Sequence, residues 1–421
     1  MKTRLALLLL VCLTVSAARA DDWPQWRGPN RDDVSKEKGL LKSWPKDGPK
    51  LLWTCKEAGA GYSGPAIVGK VLYTMGAEGK KEYVIAIDVE KGKKLWSTEV
   101  DAVYGDERGE GPRCTPTVDG DFLYALGGGG ELVCVKTDGE KVWHTSLKGD
   151  LGGNHQSRWG YSESPLVDGD KVICMPGGDK GTLAALDKKK GTVLWRSKDL
   201  KDAAPYSSIV PATIAGVRQY VVMTPDHVAG VAADDGRRLW EYAKKCNTAA
   251  VPTPIVHDNL VYVTSAYRSG CNEIEITAKG DNFQCKEVYA KDVVPNMQNQ
   301  HGGVVLVGDY LYGYSGGNER DPHEWVCQEW KTGKIVWSET KKLEKGSITC
   351  ADGLLYLYGE SSGTVVLLEA NPKEWKETGR FKFPEKSKQH HNYWTHPVVA
   401  NGRLYVRDEE LIFCYDVKDT K

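Results

Sequence analysis

The segment AALDKKKGTVLW, residues Ala184 to Trp195, recurs along the chain with its glycine and its tryptophan in fixed positions. Further copies read IDVEKGKKLW, VKTDGEKVW, VAADDGRRLW and EWKTGKIVW, and they end at Trp96, Trp143, Trp240 and Trp337. In every copy a glycine precedes the tryptophan by four positions. Self-similarity at a period of about 40 to 50 residues is typical of propellers, solenoids and arrays. The segment is therefore interpreted as scaffold, although its charges resemble a site.

The residues before each Gly-x-x-x-Trp unit predict short β-strands. In the copy that ends at Trp195 these strands are SPLV, KVICM, TLAALD and VLW, and Asp168-Gly169 is a hairpin turn signal between the first two. Four antiparallel strands in each unit are typical of a propeller blade. Eight first strands can be counted, and they begin near Pro65, Pro116, Pro165, Pro211, Pro254, Val304, Ile348 and Pro397.

The eighth unit ends after its third strand, LIFCYDV, because the chain ends there. An unpaired fourth strand, PKLLWTC around Trp53, lies before the first complete unit. Pairing this N-terminal strand with the last unit closes the ring and covers its open edge. The sequence thus predicts an all-β, eight-bladed propeller closed by an N-terminal strand. Tyr289 and Phe381 are expected to replace the tryptophan in blades 5 and 7.

The N-terminus predicts export. Residues 1–20 combine Lys2 and Arg4, an apolar run and the small-residue cleavage pattern that ends at Ala20, as in a secretory signal peptide. Residues 21–49 are then a leader, and residues 50–421 a single propeller domain in the periplasm or outside the cell. No other apolar run approaches the length of a membrane span. Removal of the three basic residues of the signal peptide changes the formal net charge from −1 to −4. This balance gives no excess of positive charge with which to bind nucleic acid.

The repeats, with their Ala-x-Asp-x-x-x-Gly-x-x-x-Trp pattern, resemble the tryptophan-docking motif of the quinoprotein dehydrogenase-like propellers, whose units are called PQQ repeats. The resemblance covers nearly all of the mature chain and implies the fold. It leaves function open, because this superfamily contains both dehydrogenases and cofactor-free scaffolds, such as the propeller lipoprotein of the outer-membrane β-barrel assembly machine. The leader DDWPQWRGPNRDD is also similar to that of exported bacterial propellers of this type.

The cysteines indicate packing positions. Cys134, Cys327 and Cys414 occupy a position that Ala86 and other alanines fill elsewhere, so they are expected to be buried thiols. Cys271 and Cys285, in the irregular fifth unit, are the one pair that the pattern favours as a disulfide. No Cys-x-x-Cys motif is present, and no metal site is predicted.

Candidate binding residues lie in the loops that enter each blade and in the loops between second and third strands. In a propeller these loops open on one face and converge on the channel mouth, where concave polar sites form. The predicted mouth residues are Arg113, His155, Trp159, Tyr161, Glu163, Tyr206, His301, Glu360 and His396. The alternative is that these side chains merely plug the channel by bonding to one another.

Two functions follow from this reading. The first is a monomeric binding or scaffold module that needs no cofactor and holds a protein, glycan or small molecule at the mouth. The alternative, implied by the resemblance, is an alcohol or sugar dehydrogenase that uses pyrroloquinoline quinone (PQQ) and calcium. No adjacent cysteine pair and no long insertion with calcium ligands is evident, so the family's catalytic pattern cannot be carried over to residues of this chain.

Overall fold

A computed structural model describes residues 22–420, which form eight antiparallel blades of four strands each, and one of these blades carries an additional parallel strand from the leader. The predicted signal peptide lies outside these residues. Blade 1 comprises Ala66–Val68, Val71–Glu78, Lys81–Asp88 and Lys94–Ala102, and blade 2 comprises Thr117–Asp119, Phe122–Leu126, Glu131–Lys136 and Lys141–Ser146. Blade 3 comprises Leu166–Asp168, Lys171–Cys174, Ala184–Asp187 and Val193–Arg196. Blade 4 comprises Val210–Ile214, Val217–Met223, His227–Ala232 and Arg238–Ala243.

The second half of the ring repeats this pattern. Blade 5 comprises Ile255–His257, Leu260–Ser265, Gly270–Lys279 and Asn282–Glu287. Blade 6 comprises Val304–Val307, Tyr310–Ser315, Glu324–Glu329 and Ile335–Glu339. Blade 7 comprises Gly346–Ala351, Leu354–Gly359, Thr364–Glu369 and Glu377–Lys382. Blade 8 contains Val398–Ala400, Arg403–Asp408 and Leu411–Asp416, with Lys50–Cys55 as its fourth strand. Smaller elements are Val34–Ser35, the hairpin of Gly105–Asp106 and Gly109–Glu110, and the 3-10 helix Val294–Asn296. The eight-bladed ring with N-terminal closure is confirmed.

Four of the tryptophans, Trp53, Trp96, Trp143 and Trp195, pack their blade against the glycine turn of the next one. The indole Nε1 of Trp143 donates to the carbonyl of Lys188 at 3.0 Å, and Trp53 and Trp96 make the same bond to Val89 and Thr137. The ring of Trp143 lies where a Cβ on Gly191 would stand. The expected replacements in blades 5 and 7 are also present, because Tyr289 packs on Gly333 and Phe381 on Gly48 in the same way.

We expect Gly191→Ala to destabilise the protein by about 3 kcal/mol. Gly191 has φ +70°, which costs an L-residue about 1 kcal/mol, and its new Cβ would lie 2.7 Å from the Trp143 ring, which adds an overpacking cost. Gly169→Ala in the same blade is the matched control, since Gly169 has φ +61° but no atom within 4 Å of that Cβ. Urea denaturation measures both. Equal losses would show that ring contact at Gly191 contributes nothing.

The cysteines form no disulfide in the described chain. Cys134, Cys327 and Cys414 are fully buried, each beside a tyrosine and a tryptophan on the neighbouring strands, as expected. The expected pairing of Cys271 with Cys285 is wrong. Cys285 pairs in register with Ile276, five residues along the strand from Cys271 and thus about 17 Å away, far beyond disulfide reach.

The leader does not lie outside the ring but passes through its centre. Trp23 makes a backbone bridge to Ile67 of blade 1, and the carbonyl of Pro24 accepts from Val118 of blade 2. Val34–Ser35 then pairs in parallel with the first strand of blade 7. Within residues 22–420 no helix is long and apolar enough to cross a membrane.

Two buried arginines fix the leader between these points. Arg31 donates to the carbonyls of Ser164, Pro165 and Ile209 in blades 3 and 4. Arg27 donates to the carbonyls of Thr253 and Val304, at blades 5 and 6. Arg27 and Arg31 both have positive φ, an uncommon conformation for such residues, so the leader backbone is strained where these side chains enter the channel.

Candidate functional site

A cavity of about 360 Å³ lies at the channel mouth, where the entry loops meet the loops between second and third strands. Leader residues also line it, and so do residues from blades around the ring. Six of the predicted mouth residues line this cavity: Arg113, Trp159, Tyr206, His301, Glu360 and His396. Loops that are far apart in sequence therefore meet in one concave space.

The other three predicted residues, His155, Tyr161 and Glu163, do not line the cavity. The Tyr161 hydroxyl donates to the carbonyl of Pro176, and its ring packs edge-on against His155 with centroids 5.2 Å apart. Glu163 is buried and accepts from the backbone N–H of Met175. The structure therefore does not bring these three side chains into the same cavity as the other six.

Burial shifts the pKa of all three of these residues, and it raises that of Tyr161. It raises the pKa of Glu163 to about 8, against the opposing effects of the Met175 hydrogen bond and the Arg31 charge. It lowers the pKa of His155. Glu163 is therefore largely protonated at neutral pH, which suits a packed residue better than an ion-binding one.

Aromatic side chains form opposite parts of the cavity wall. On one side, the rings of Trp159 and Tyr206 lie 5.9 Å apart between centroids. On another side, the ring centroid of Trp394 lies 4.9 Å from that of Tyr62 and 4.9 Å from that of His301. Sequence reasoning missed Trp394 and Tyr62, although Trp394 belongs to the KQHHNYWTH loop that supplied His396. The wall thus offers flat apolar surfaces that face the cavity from several loops.

The floor of the cavity comes from the leader, which the mouth prediction did not include. The ring of Trp26 lies 4.5 Å from that of His396, and its Nε1 donates to the hydroxyl of Thr253 at 3.1 Å. Below it, Asp33 Oδ2 contacts Arg27 Nε at 2.7 Å and His396 Nδ1 at 2.8 Å. His396 Nε2 also lies 2.8 Å from the carbonyl of His301. These side chains bond to one another and close the channel, as the alternative in the sequence analysis predicts. The cavity above them nevertheless remains open.

A polar network follows the wall that blades 5, 6 and 7 supply. Lys345 Nζ donates to Gln300 Oε1 at 2.6 Å and lies 2.9 Å from Glu360 Oε2, while Gln300 Nε2 donates to the hydroxyl of Tyr267. His301 Nε2 lies 3.2 Å from the same Glu360 oxygen. Burial lowers the pKa of His301, so the cation that balances Glu360 at neutral pH is Lys345. Burial opposes the ionisation of Glu360, but the adjacent His301 and Lys345 side chains outweigh this effect and lower its pKa.

Tyr267 is held at the mouth by a strained loop. Tyr267 and Arg268 both have positive φ, at 59° and 66°. Their backbone N–H groups donate to the two carboxylate oxygens of Asp321, at 2.9 Å and 3.1 Å. Consecutive non-glycine residues in this conformation persist only where the surroundings enforce it, and such strain is concentrated at functional sites.

Arg113 and Arg108 bring positive charge to the mouth from the loop before blade 2. The Arg113 guanidinium pairs with Asp106 at 2.7 Å and lies 5.9 Å from the ring centres of Tyr62 and Tyr104. Arg108 also lines the cavity, and in residues 22–420 no carboxylate lies within ion-pair distance of its guanidinium. Arg108 is thus available to an anionic group at the mouth.

The residues at the mouth do not fit the calcium ion that a PQQ dehydrogenase would need. Calcium takes six to eight oxygen ligands, mainly carboxylates and carbonyls. Glu360 is the single carboxylate among the cavity-lining residues, and it is already bound to Lys345. In the described part of the chain no group of three or more His, Cys, Asp or Glu side chains could hold a metal ion.

Comparison of the sequence with known families gives one match. A family model described as outer membrane protein assembly factor BamB matches residues 80–339. The BamB of Shewanella oneidensis is 25% identical over 233 residues, which are 55% of this chain and 55% of that protein. Lupanine 17-hydroxylase (cytochrome c) of a Pseudomonas species is 29% identical over 209 residues, which are 44% of this chain and 29% of that protein. The chain spans about half or less of the length of these curated relatives.

Solved structures with a similar fold include an alcohol dehydrogenase and a BamB protein. The quinohemoprotein alcohol dehydrogenase from Comamonas testosteroni superposes with a TM-score of 0.66 at 13% identity, over 97% of this chain and 82% of that one. BamB from Moraxella catarrhalis superposes with a TM-score of 0.59 at 14% identity, over 87% of this chain and 99% of that one. Identities this low show the fold alone.

Proposed function

Because this chain belongs to the family described as outer membrane protein assembly factor BamB, we propose that it is a non-catalytic propeller of the bacterial cell envelope that binds a small ligand at its channel mouth. The observation that carries this proposal is the cavity of about 360 Å³, which combines aromatic walls, a closed floor and a preformed polar network. Ligand sites are concave, mostly apolar and largely preformed, with a few convergent polar groups.

The name of the family and the exported type of N-terminus support the envelope location. A relative named as an assembly factor also favours contact with other proteins of the envelope. The cavity, at about 360 Å³, nevertheless has the size of a small-molecule site, so we assign it to a small molecule and assign any protein partner to the outer rim.

A dehydrogenase is the weaker candidate. The superposition with a quinohemoprotein alcohol dehydrogenase concerns the fold. The chemistry of that alternative needs calcium ligands, and the one carboxylate of the cavity, Glu360, is already neutralised by Lys345. Binding without catalysis therefore agrees better with the residues at the mouth.

We expect ring-shaped fragments to bind at the mouth and not on the blades. Crystals soaked with a library of small aromatic and saturated ring compounds test this directly. Trp159→Ala and Trp394→Ala should each weaken fragment affinity at least tenfold in ligand-observed NMR, because each removes part of a stacking wall. Leu194→Ala, at an exposed position on the outer strand of blade 3, is the matched control and should bind like the unmodified protein. Fragments that bind only outside the mouth would contradict the proposal.

A further inference from the structure

Resting on the proposed function, we propose that the mouth cavity binds the ring of an acidic carbohydrate, a sugar that carries one carboxylate. Three features of the cavity support this ligand class: its aromatic faces, the hydrogen-bonding groups left free on its polar wall, and the balance of its charges.

The aromatic faces suit the C–H surfaces of a sugar ring. Trp159 with Tyr206, and Trp394 with Tyr62, are tilted pairs that belong to different loops around the mouth. The face of an aromatic ring is the negative part of its quadrupole, and it attracts the slightly positive hydrogens on the flat side of a pyranose. The cavity volume of about 360 Å³ is at the lower end for small-molecule sites, so it suits one or two sugar units.

The polar wall leaves both donors and acceptors free. The Tyr267 hydroxyl accepts from Gln300, so its own O–H can donate into the cavity. Lys345 Nζ uses its contacts to Gln300 and Glu360 and keeps a third N–H. Lys345 and His301 both contact the Oε2 atom of Glu360, so its Oε1 atom can accept a hydrogen bond from a ligand. The buried indole N–H of Trp394 has no hydrogen-bond partner in the described chain.

Mixed donors and acceptors match hydroxyl groups, because each hydroxyl both donates and accepts. A flat polycarboxylate could use the donors only, and the carboxylate of Glu360 would repel it. Hydroxyl groups around a ring use the polar wall, since Glu360 accepts from one and Lys345 and Tyr267 donate to others. The wall therefore favours a polyhydroxylated ring over a planar polyanion.

The charges at the mouth favour a single acidic group on that ring. Every other cation that lines the cavity has an internal carboxylate partner at 2.7 to 2.9 Å, namely Arg27 with Asp33, Arg113 with Asp106 and Lys345 with Glu360. Arg108 is the one lining cation of the described chain with no carboxylate within ion-pair distance, and its charge acts on the more distant Glu107 and on the mouth residues Tyr62 and Tyr267. One unpaired guanidinium matches one carboxylate.

Calorimetric titration with methyl glycosides tests the ligand class. The probes are the methyl glycosides of glucuronate, galacturonate and mannuronate, the corresponding neutral hexosides, and benzoate as a flat acid that lacks hydroxyl groups. At least one uronide should bind about fivefold to tenfold more tightly than its neutral counterpart, as expected for one partly exposed charge-assisted contact. Arg108→Gln should remove this preference and keep the affinity for the neutral sugar.

Further variants separate this inference from the proposed function. Glu360→Gln should weaken uronide and neutral sugar alike, while Leu194→Ala should change neither. If ring fragments occupy the mouth but no sugar binds, or if benzoate binds more tightly than every uronide, the carbohydrate assignment is wrong and the binding function stands. If Arg108→Gln leaves the uronide preference intact, the role of Arg108 is wrong. If neither fragments nor sugars enter the mouth, the proposed function itself fails.

Discussion

A chain that begins at Lys56 is expected to lose its cooperative unfolding transition, whereas a chain that begins at Lys50 should keep one. The difference between them is the strand Lys50–Cys55, which is the fourth strand of blade 8 and pairs with Leu411–Asp416. Without it, the third strand of blade 8 exposes its backbone edge, and such an edge invites aggregation. Its tryptophan also docks on blade 1, since Trp53 Nε1 donates to the carbonyl of Val89 at 2.8 Å and its ring packs on Gly92.

Thermal unfolding followed by circular dichroism, with size-exclusion chromatography, compares the two truncations. The chain that begins at Lys50 lacks the leader, so its melting temperature should fall, but its ring is still closed. The chain that begins at Lys56 should aggregate or melt without a sharp transition. Similar melting of both chains would mean that the N-terminal strand does not close the ring in the way described.

The second expected result is that the protein loses stability as the pH rises. We expect the Glu163→Gln variant not to show this loss. Burial raises the pKa of Glu163 from 4.5 to about 8 in the folded protein, so its stabilising effect is complete below about pH 4.5 and is lost as the pH rises toward 8. Each pKa unit corresponds to about 1.4 kcal/mol, so ionisation of this one group costs about 4 to 5 kcal/mol. Glutamine keeps the shape and cannot ionise.

Urea denaturation between pH 5 and pH 9 measures this effect. Glu163→Gln should be less sensitive to pH than the unmodified protein and should be the more stable of the two at pH 9. Glu360→Gln is the matched control and should have the opposite effect. The pKa of Glu360 is lowered in the folded protein, so its ionised carboxylate stabilises the fold above its unfolded pKa. The Glu360→Gln variant should therefore be less stable than the unmodified protein at neutral pH. Parallel curves for the unmodified protein and Glu163→Gln would show that Glu163 titrates normally.

The repeat pattern predicted the blades well because its determinants are local. Gly191 needs a positive φ, and Trp143 needs a small residue beneath its ring, so turn and docking position appear as a fixed spacing in the sequence. The same reasoning found the closing strand around Trp53, because its tryptophan has no complete unit of its own. Even the replacement of tryptophan by Tyr289 followed from its place in the repeat.

The site was harder to predict because side-chain direction in a loop is not periodic. Trp159 and Tyr161 are two residues apart in one entry loop, yet the first lines the cavity and the second packs against Pro176 and His155. The Cys271 and Cys285 pairing failed for a related reason, since strand register depends on the length of a hairpin that the sequence does not delimit. Arg27 and Arg31 belong to no repeat, and the blade carbonyls to which they donate are more than 130 positions away.

The leader also constrains the order in which the molecule can assemble. Part of the leader contacts segments that are synthesised last, since Asp33 contacts His396 across 363 positions. Contacts of such separation form late, because the entropy of closing the intervening loop must be paid first. The leader can therefore contact blades 1 to 4 early, but we expect its contacts with blade 7 and with His396 to form only after those late segments have folded.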